Sequence, residues 1–133
     1  MSNIKFEINQ NIATITFDLE NEKINKLSFE VLKEFDEKLT LIQEDHTIKA
    51  LVIDSAKKDI FIAGADIKEI EQLKDSEEVY EALMNIHKIF NKLEFNVASV
   101  TVNVKASLLV AFTKFVFKFD AVSALTVAVT TPV

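Results

Sequence analysis

The order of apolar patterns in the sequence predicts an α/β fold in which helices cover one face of a β-sheet. Short runs that alternate or are rich in branched side chains predict strands at 5–8, 12–17 and 50–54. Apolar residues that recur every three or four positions predict helices at 31–42 and 79–93. At 133 residues the chain is one domain by length and can bury a substantial core. We therefore expect a single domain over 1–133 with the order β-β-α-β-α-α, whose short fifth element directly follows the third strand.

The first two strands are expected to form a β-hairpin with one buried face, because three polar residues at 9–11 join two alternating runs. A polar connection over 18–26 follows. The run at 50–54 has the length and branching of a buried strand.

Both long helices begin with a capping residue. Ser28 is a good N-cap for the first, and Asp75 with Glu78 can cap the second. The first apolar stripe contains Val31, Leu32, Phe35, Leu39 and Ile42, and the second contains Val79, Leu83, Ile86, Phe90 and Leu93.

The composition changes abruptly near Phe95, because every glutamate and every isoleucine precedes it. In this tail, 100–104 and 124–129 resemble strands, and 106–119 fits a helix or a strand. The sequence leaves three explanations open: foreign or frame-shifted sequence, an engineered replacement, or an uncertain assignment of residue identities.

Charge and composition exclude several classes of protein. A formal net charge of −6 disfavours a nucleic-acid surface. The chain has no cysteine and no recognisable leader, which favours a reducing, cytoplasmic setting. Charged residues interrupt the apolar tail, so we expect no membrane span. No His/Cys cluster has metal-ligand spacing, so no metal is expected.

The segment 61–70 joins the third strand to a helix. Ile67, Ile70 and Leu73 recur at helical spacing, and Asp66 with Glu69 is typical of a capping pair. Gly64, the one glycine of the chain, lies at this junction. Small residues leave backbone N–H groups uncovered, so a polarised oxygen could bind there. The local pattern alone fits an ordinary β–α turn at least as well.

The sequence of this segment resembles the signature loop of the enoyl-CoA hydratase/isomerase (crotonase) superfamily; it reads Phe-Ile-Ala-Gly-Ala-Asp-Ile-Lys-Glu-Ile. A second motif upstream, Glu-Lys-Ile-Asn-Lys-Leu-Ser at 22–28, supports the resemblance. Within the superfamily, the chain is most similar to the N-terminal hydratase module of multifunctional fatty-acid oxidation α subunits. The resemblance covers 1–94 and implies the N-terminal half of a crotonase-like ββα spiral, from which 95–133 departs.

The resemblance implies an acyl-CoA thioester as substrate and no separate cofactor. Water addition to an enoyl thioester builds negative charge on the carbonyl oxygen, and preorganised backbone donors stabilise that charge. By resemblance, the Ala65 N–H is one donor. The residues that the resemblance places against CoA are Lys23, Asn25, Leu27, Ala63, Gly64, Ala65, Asp66, Ile67 and Lys68.

The later part of the family pattern is incomplete. The second oxyanion donor would be the Ala111 N–H, within a turn where the family has glycines. The first of two catalytic carboxylates would fall at Lys114 or Thr113, and neither residue is acidic. The second would fall at or beyond the end of the sequence. The chain as written therefore lacks the family's acid/base pair.

Three hypotheses follow. The first is an enoyl-CoA hydratase that hydrates trans-2-enoyl-CoA to 3-hydroxyacyl-CoA in fatty-acid β-oxidation. By family, it would form trimers or hexamers and could bind a thiolase β subunit. The second is a non-catalytic acyl-CoA-binding module, and the third is an inactive truncated or mis-assigned fragment, whose uncovered apolar surface would lead to oligomers.

Overall fold

A computed structural model describes the backbone of residues 2–94, 99–105 and 125–130, and side chains up to Leu93. Its five strands are β1 (Ile4–Asn9), β2 (Ile12–Phe17), β3 (Ala50–Ser55), β4 (Ser99–Lys105) and β5 (Leu125–Thr130). Its helices are α1 (Phe29–Glu44), α2 (Ile67–Ile70) and α3 (Ser76–Asn91), and the one-turn 3₁₀ segment Lys92–Glu94 follows α3. The α/β class and the predicted element order are confirmed.

The strands form one sheet in the order β1-β2-β3-β4-β5. Strands β1 and β2 are antiparallel, whereas β2, β3, β4 and β5 run parallel to one another. Parallel neighbours need crossover connections, and α1 provides one between β2 and β3. The carboxyl ends of β2 and β3 consequently lie at the same edge of the sheet.

The predicted hairpin is confirmed, and its two-residue turn explains its register. Gln10 and Asn11 both have positive φ, 48° and 66°. Paired positive φ values match the right-handed twist of a hairpin, and Asn tolerates them better than most residues. Ile4 therefore pairs with Phe17, and alternate residues of β2 enter the core.

Helix α1 covers the sheet as predicted. The Ser28 hydroxyl accepts a hydrogen bond from the Val31 N–H at 3.2 Å, which confirms the N-cap. The five residues of the predicted stripe are all buried. The ring of Phe35 packs on that of Phe17 with centroids 5.3 Å apart. These contacts join α1 to the inner face of the sheet.

Helix α3 lies against α1 only at its C-terminal end. The ring centroids of Phe35 and Phe90 are 6.2 Å apart, and Lys92 forms an ion pair with Asp36 at 2.5 Å. Towards its N-terminus the helix is open, and Leu83, a member of the predicted stripe, is 51% exposed. None of the residues of α3 is buried.

The tail beyond Phe95 contains the last two strands of the sheet. The predicted strands at 100–104 and 124–129 correspond to β4 (Ser99–Lys105) and β5 (Leu125–Thr130). The ambiguous stretch 106–119, with Ala111, Thr113 and Lys114, lies outside the described residues. Of the helices in the described ranges, none is both long enough and apolar enough to cross a membrane.

Candidate functional site

The site is built where two loops leave the sheet at one edge. The loop after β2 contains the upstream motif 22–28, and the loop after β3 contains the segment 61–70, which we call the signature loop. Because β2 and β3 are parallel, both loops begin at the same edge, where open α/β sheets commonly bind ligands.

The two loops pair like strands. The Ala63 N–H donates to the Asn25 carbonyl at 2.8 Å, and the Leu27 N–H donates to the Gly64 carbonyl at 2.8 Å. The Asp66 N–H then donates to the Leu27 carbonyl at 3.1 Å, which completes a parallel bridge between Leu27 and Ala65. The upstream motif therefore sets the backbone of the signature loop directly.

This pairing fixes the direction of the Ala65 amide. In this parallel bridge Leu27 makes both bonds, through its own N–H and carbonyl, to the residues on either side of Ala65, so the Ala65 N–H points away from Leu27. Ala65 is exposed, and its N–H has no hydrogen-bond partner among the residues that the structure describes. The Ala65 N–H is thus a backbone donor that is unpaired within the described structure and lies on the side opposite Leu27.

Gly64 is needed for its backbone conformation. Its φ is +131°, a value that residues with a side chain rarely adopt, and a Cβ built there would meet nothing within 4 Å. The glycine therefore allows the chain to turn between the Ala63 and Ala65 amides, and it does not make room for a neighbouring atom of the described structure.

Asn25 is fully buried and joins the two loops to both strand ends. Its Oδ1 accepts from the Leu19 N–H at 3.1 Å. Its Nδ2 lies 3.0 Å from the Phe17 carbonyl, 2.9 Å from the Ser55 Oγ and 3.2 Å from the Phe61 carbonyl. The side chain is thus enclosed by protein, and its predicted role beside CoA stays a prediction that only its backbone could fulfil.

Ser55 is a site residue that sequence reasoning missed. Its hydroxyl donates to the Ile60 carbonyl at 2.8 Å and accepts from the Lys57 N–H at 3.1 Å and from Asn25. A serine at the end of an apolar strand gave no signal of its own. Only the loop that folds back over β3 makes it a partner.

Asp18 and Lys57 tie the same two loops together at the surface. The Lys57 ammonium contacts the Asp18 carboxylate at 3.1 Å and the Leu19 carbonyl at 2.6 Å, and Lys5 contacts Asp18 at 2.6 Å. Hydrogen bonds from Lys5 and then Lys57 hold the pKa of the Asp18 carboxyl below its usual value.

The predicted capping pair at α2 is half right. The Asp66 carboxylate accepts from the Lys68 N–H at 3.1 Å and caps the helix, but the Glu69 carboxylate accepts from the Phe29 N–H of α1 at 2.6 Å instead. The first amides of α1 lack intrahelical acceptors, so Glu69 satisfies one of them. Helix α2 is also shorter than the 67–73 pattern suggests, because Gln72 and Leu73 donate to carbonyls three residues back.

Beside the Ala65 amide runs a shallow, mainly apolar groove between α1, α2 and α3. Its cavity volume is about 60 Å³. Among the described residues that line it, Asp66 and Glu69 are acidic, and both bind backbone amides. The groove is lined by Leu27, Phe29, Leu32, Ala65, Asp66, Glu69, Ile70, Leu73, Val79, Ala82, Leu83 and Ile86.

The predicted cations lie at the surface of the loops. Lys23 and Lys68 are exposed, and neither forms an ion pair within the described part of the chain. Lys26, within the upstream motif, contacts Glu22 at 3.4 Å and Asp66 at 3.6 Å. Among the described residues, no group of three or more acidic, His or Cys side chains could hold a metal ion.

The other residues predicted to contact CoA differ in how exposed they are. Ala63, Ala65, Ile67 and Lys68 are exposed along the signature loop, whereas Gly64 and Asp66 are partly covered. Backbone pairing places this part of the signature loop beside Leu27. The proposed second donor, Ala111, lies outside the described residues and so cannot be placed against them.

Sequence comparisons point to one family. A sequence profile described as "Enoyl-CoA hydratase/isomerase" matches residues 7–103. A fatty acid oxidation complex subunit alpha from Psychrobacter cryohalolentis is 39% identical over 85 residues, which are 62% of this chain and 12% of that protein. Its counterpart from Psychrobacter sp. (strain PRwf-1) is 34% identical over 89 residues, covering 65% of this chain and 12% of the relative. The chain thus matches a small part of these relatives.

A comparison of structures agrees in fold. The crystal structure of an enoyl-CoA hydratase/carnithine racemase from Magnetospirillum magneticum matches with a TM-score of 0.70 at 22% identity. The match covers 78% of this chain and 39% of that one. The described sheet and helices therefore have the crotonase-type arrangement, of which this chain contains a part.

Proposed function

The chain belongs to the enoyl-CoA hydratase/isomerase family, and on that premise we propose that it binds an acyl-CoA thioester with the carbonyl oxygen on the Ala65 amide. The single observation that carries the proposal is the unpaired Ala65 N–H, turned away from the Leu27 bridge and exposed beside the groove. A free donor of fixed direction is what an oxyanion site requires.

The reaction follows from where charge develops. When water adds to C3 of a trans-2-enoyl thioester, negative charge accumulates on the carbonyl oxygen as an enolate. The Ala65 N–H binds that oxygen more strongly in the charged state than in the substrate, which lowers the barrier. The apolar groove receives the acyl chain, and Lys23 and Lys68 are free to attract the phosphates of CoA. We infer that the whole protein hydrates enoyl-CoA in fatty-acid β-oxidation.

The described part of the chain supports substrate binding better than turnover. Hydration needs a general base and a general acid on the attacking water. Of the two carboxylates in the groove, Asp66 caps α2 and Glu69 binds the Phe29 N–H. Each already uses one carboxylate oxygen for a backbone amide, and neither stands at a position where the family pattern places its acid/base pair. This observation favours a non-catalytic acyl-CoA-binding module as the second candidate.

A binding and turnover experiment separates the candidates. Calorimetry with crotonyl-CoA and with free CoA should show tighter binding of the thioester. The loss of the enoyl absorbance should not occur with this 133-residue chain. Turnover would contradict the absence of an acid/base pair from this chain and would favour the hydratase. Absence of binding to either compound would refute the proposal and favour an inactive fragment.

Replacement of Ala65 by proline tests the donor itself. Proline has no N–H, so the Ala65→Pro variant should lose the preference for thioester over free CoA. Free CoA provides the internal control, because it has no carbonyl oxygen to bind. If the variant still folds and still prefers the thioester, another group must bind that oxygen.

Assembly is part of the same proposal. The relatives are named as α subunits of a fatty acid oxidation complex, and the exposed apolar side chains of α3 offer a surface for association. We infer a homo-oligomer in the cytoplasm, a trimer or hexamer, with a thiolase β subunit as a further partner. Light scattering on the purified chain tests the first part, since a monodisperse monomer would contradict it.

A further inference from the structure

We propose that Asn25 is a positioning residue, whose buried side chain fixes the direction in which the Ala65 amide points. The inference deepens the proposed function and rests on it, because it assigns the preorganisation of the oxyanion donor to a residue that touches no ligand.

The side chain of Asn25 bonds three separate segments of the chain. It reaches the end of β2 through Phe17 and Leu19, the end of β3 through Ser55, and the start of the signature loop through Phe61. The Asn25 side chain is fully buried, so water does not compete for these bonds. One amide group therefore sets the relative positions of both strand ends and the loop.

The backbone of Asn25 carries that constraint to Ala65. The Asn25 carbonyl accepts from the Ala63 N–H, and two residues later Leu27 bonds both Gly64 and Asp66. A side chain held at one point thus fixes the register of the pairing, and the register decides which amides face Leu27. A shift of one residue would turn the Ala65 N–H towards the upstream motif.

The amide of Asn25 fits in one orientation only. Its Nδ2 faces two carbonyl oxygens, those of Phe17 and Phe61, and its Oδ1 faces the Leu19 N–H. Rotation by 180° would place Oδ1 against both carbonyls and Nδ2 against a donor. An aspartate at 25 would keep the acceptor but lose the donors. The site therefore requires an amide, which is more than a space-filling role requires.

A fixed direction of the Ala65 N–H matters because an oxyanion donor must be preorganised. A donor contributes to transition-state stabilisation only when it is held close to the productive geometry before the reaction. The signature loop buries only Phe61 and is otherwise exposed or partly covered, so packing alone does not fix Ala65. The hydrogen bonds of Asn25 replace that packing.

The test compares two ligands that differ only in the carbonyl. Butyryl-CoA is a saturated thioester that cannot be hydrated, and S-butyl-CoA is the thioether of the same length without the oxygen. The ratio of their dissociation constants measures the oxyanion contact and not the CoA contacts. For the unaltered chain we expect the thioester to bind about five- to tenfold more tightly, the value of one net hydrogen bond.

The Asn25→Ala variant should bind both ligands with nearly equal affinity. Ile42→Ala is the matched control, because it opens a cavity in α1 about 20 Å further along the helix than the loop contact at Phe29. It should lower stability and keep the ratio. Ser55→Ala removes one acceptor of Asn25 with little change of volume, and it should give an intermediate ratio.

The outcomes separate the two claims. If the unaltered chain shows no preference for the thioester, the proposed function and this inference both fail. If it shows the preference and Asn25→Ala keeps it, only the positioning role fails. Should Asn25→Ala not fold, an unchanged ratio in Ser55→Ala overturns the role, and a reduced ratio supports it. A ratio lost equally in Ile42→Ala would also overturn it, since general destabilisation would then explain the effect.

Discussion

Residues 4–61 and residues 62–93 form two regions of very different burial. The first region contains the hairpin, α1 and β3 and provides every buried side chain of the described core, from Ile4 to Phe61. The second contains the signature loop from Ile62 onwards, α2 and α3, and buries none. Yet α1 and α3 are both sixteen residues long, both are capped, and both have an apolar stripe.

The difference shows that an apolar stripe specifies a helix face but not its partner. In α1 the stripe meets the sheet, and Phe35 lies between Phe17 and Phe90. In α3 the corresponding stripe borders the open groove, and Leu83 remains half exposed. The first region is thus a packed support, whereas the second leaves apolar side chains exposed in the described structure.

The largest expected effect is the loss of a buried leucine in α1, compared with the same substitution in α3. Leu39→Ala in α1 should lower the free energy of unfolding by about 2–5 kcal/mol, because Leu39 is 2% exposed and its loss leaves a cavity. Leu83→Ala in α3 should cost less than about 0.5 kcal/mol. Denaturant unfolding of the two variants gives the comparison directly. Equal losses would mean that the groove face of α3 is covered in solution.

The sequence predicted the first region more completely than the second. The stripe of α1, its Ser28 cap and the hairpin are local patterns, and burial on the sheet follows from them. The capping pair failed at Glu69, because a free amide 40 residues away competed for the carboxylate. Likewise, the Asn25 and Ser55 contacts depend on two loops meeting at one sheet edge, which no spacing in the sequence reveals.

The loop itself can be strained without touching the core. Gly64→Ala should cost about 1–3 kcal/mol, because a side chain at φ +131° is unfavourable although it would meet no atom. The cost should appear as a loss of the loop pairing, so the Leu27 and Asp66 amides should exchange hydrogen faster than in the unaltered chain. Unchanged exchange at both amides would contradict the idea that Gly64 serves the loop conformation.

The N-caps of α1 and α3, Ser28 and Asp75, offer a finer test of the difference between the packed and the open region. The Asp75 carboxylate accepts from the Glu77 and Glu78 amides at 3.0 and 2.9 Å, as Ser28 does from Val31. Each cap should contribute about 1 kcal/mol to its helix. We expect Ser28→Ala to lower global stability by that amount. Asp75→Ala should mainly fray the first turn of α3, seen as faster amide exchange there with little change in the unfolding midpoint.

The smallest effect should lie at the surface contact between the loops. The carboxylate of Asp18 is held by Lys5 and Lys57, so its pKa in the folded state lies below the unfolded value near 3.8. A depressed pKa stabilises the fold above the unfolded value, and that contribution is lost as the pH falls through the folded pKa. Asp18→Asn should therefore lower the free energy of unfolding by up to about 1 kcal/mol at neutral pH. It should also make that free energy depend less on pH below pH ~4.

Glu7→Gln is the matched control for Asp18→Asn, because it removes one negative charge from exposed β1 and breaks no ion pair of the described structure. Stability measured from pH 7 down to pH 2 for both variants shows whether the contribution of Asp18 depends on its charge. The curve of Asp18→Asn should converge on that of the unaltered chain at low pH, where both have lost the contact. A constant difference at every pH would mean that Asp18 acts through packing and not through its charge, and the link between the two loops would then be apolar.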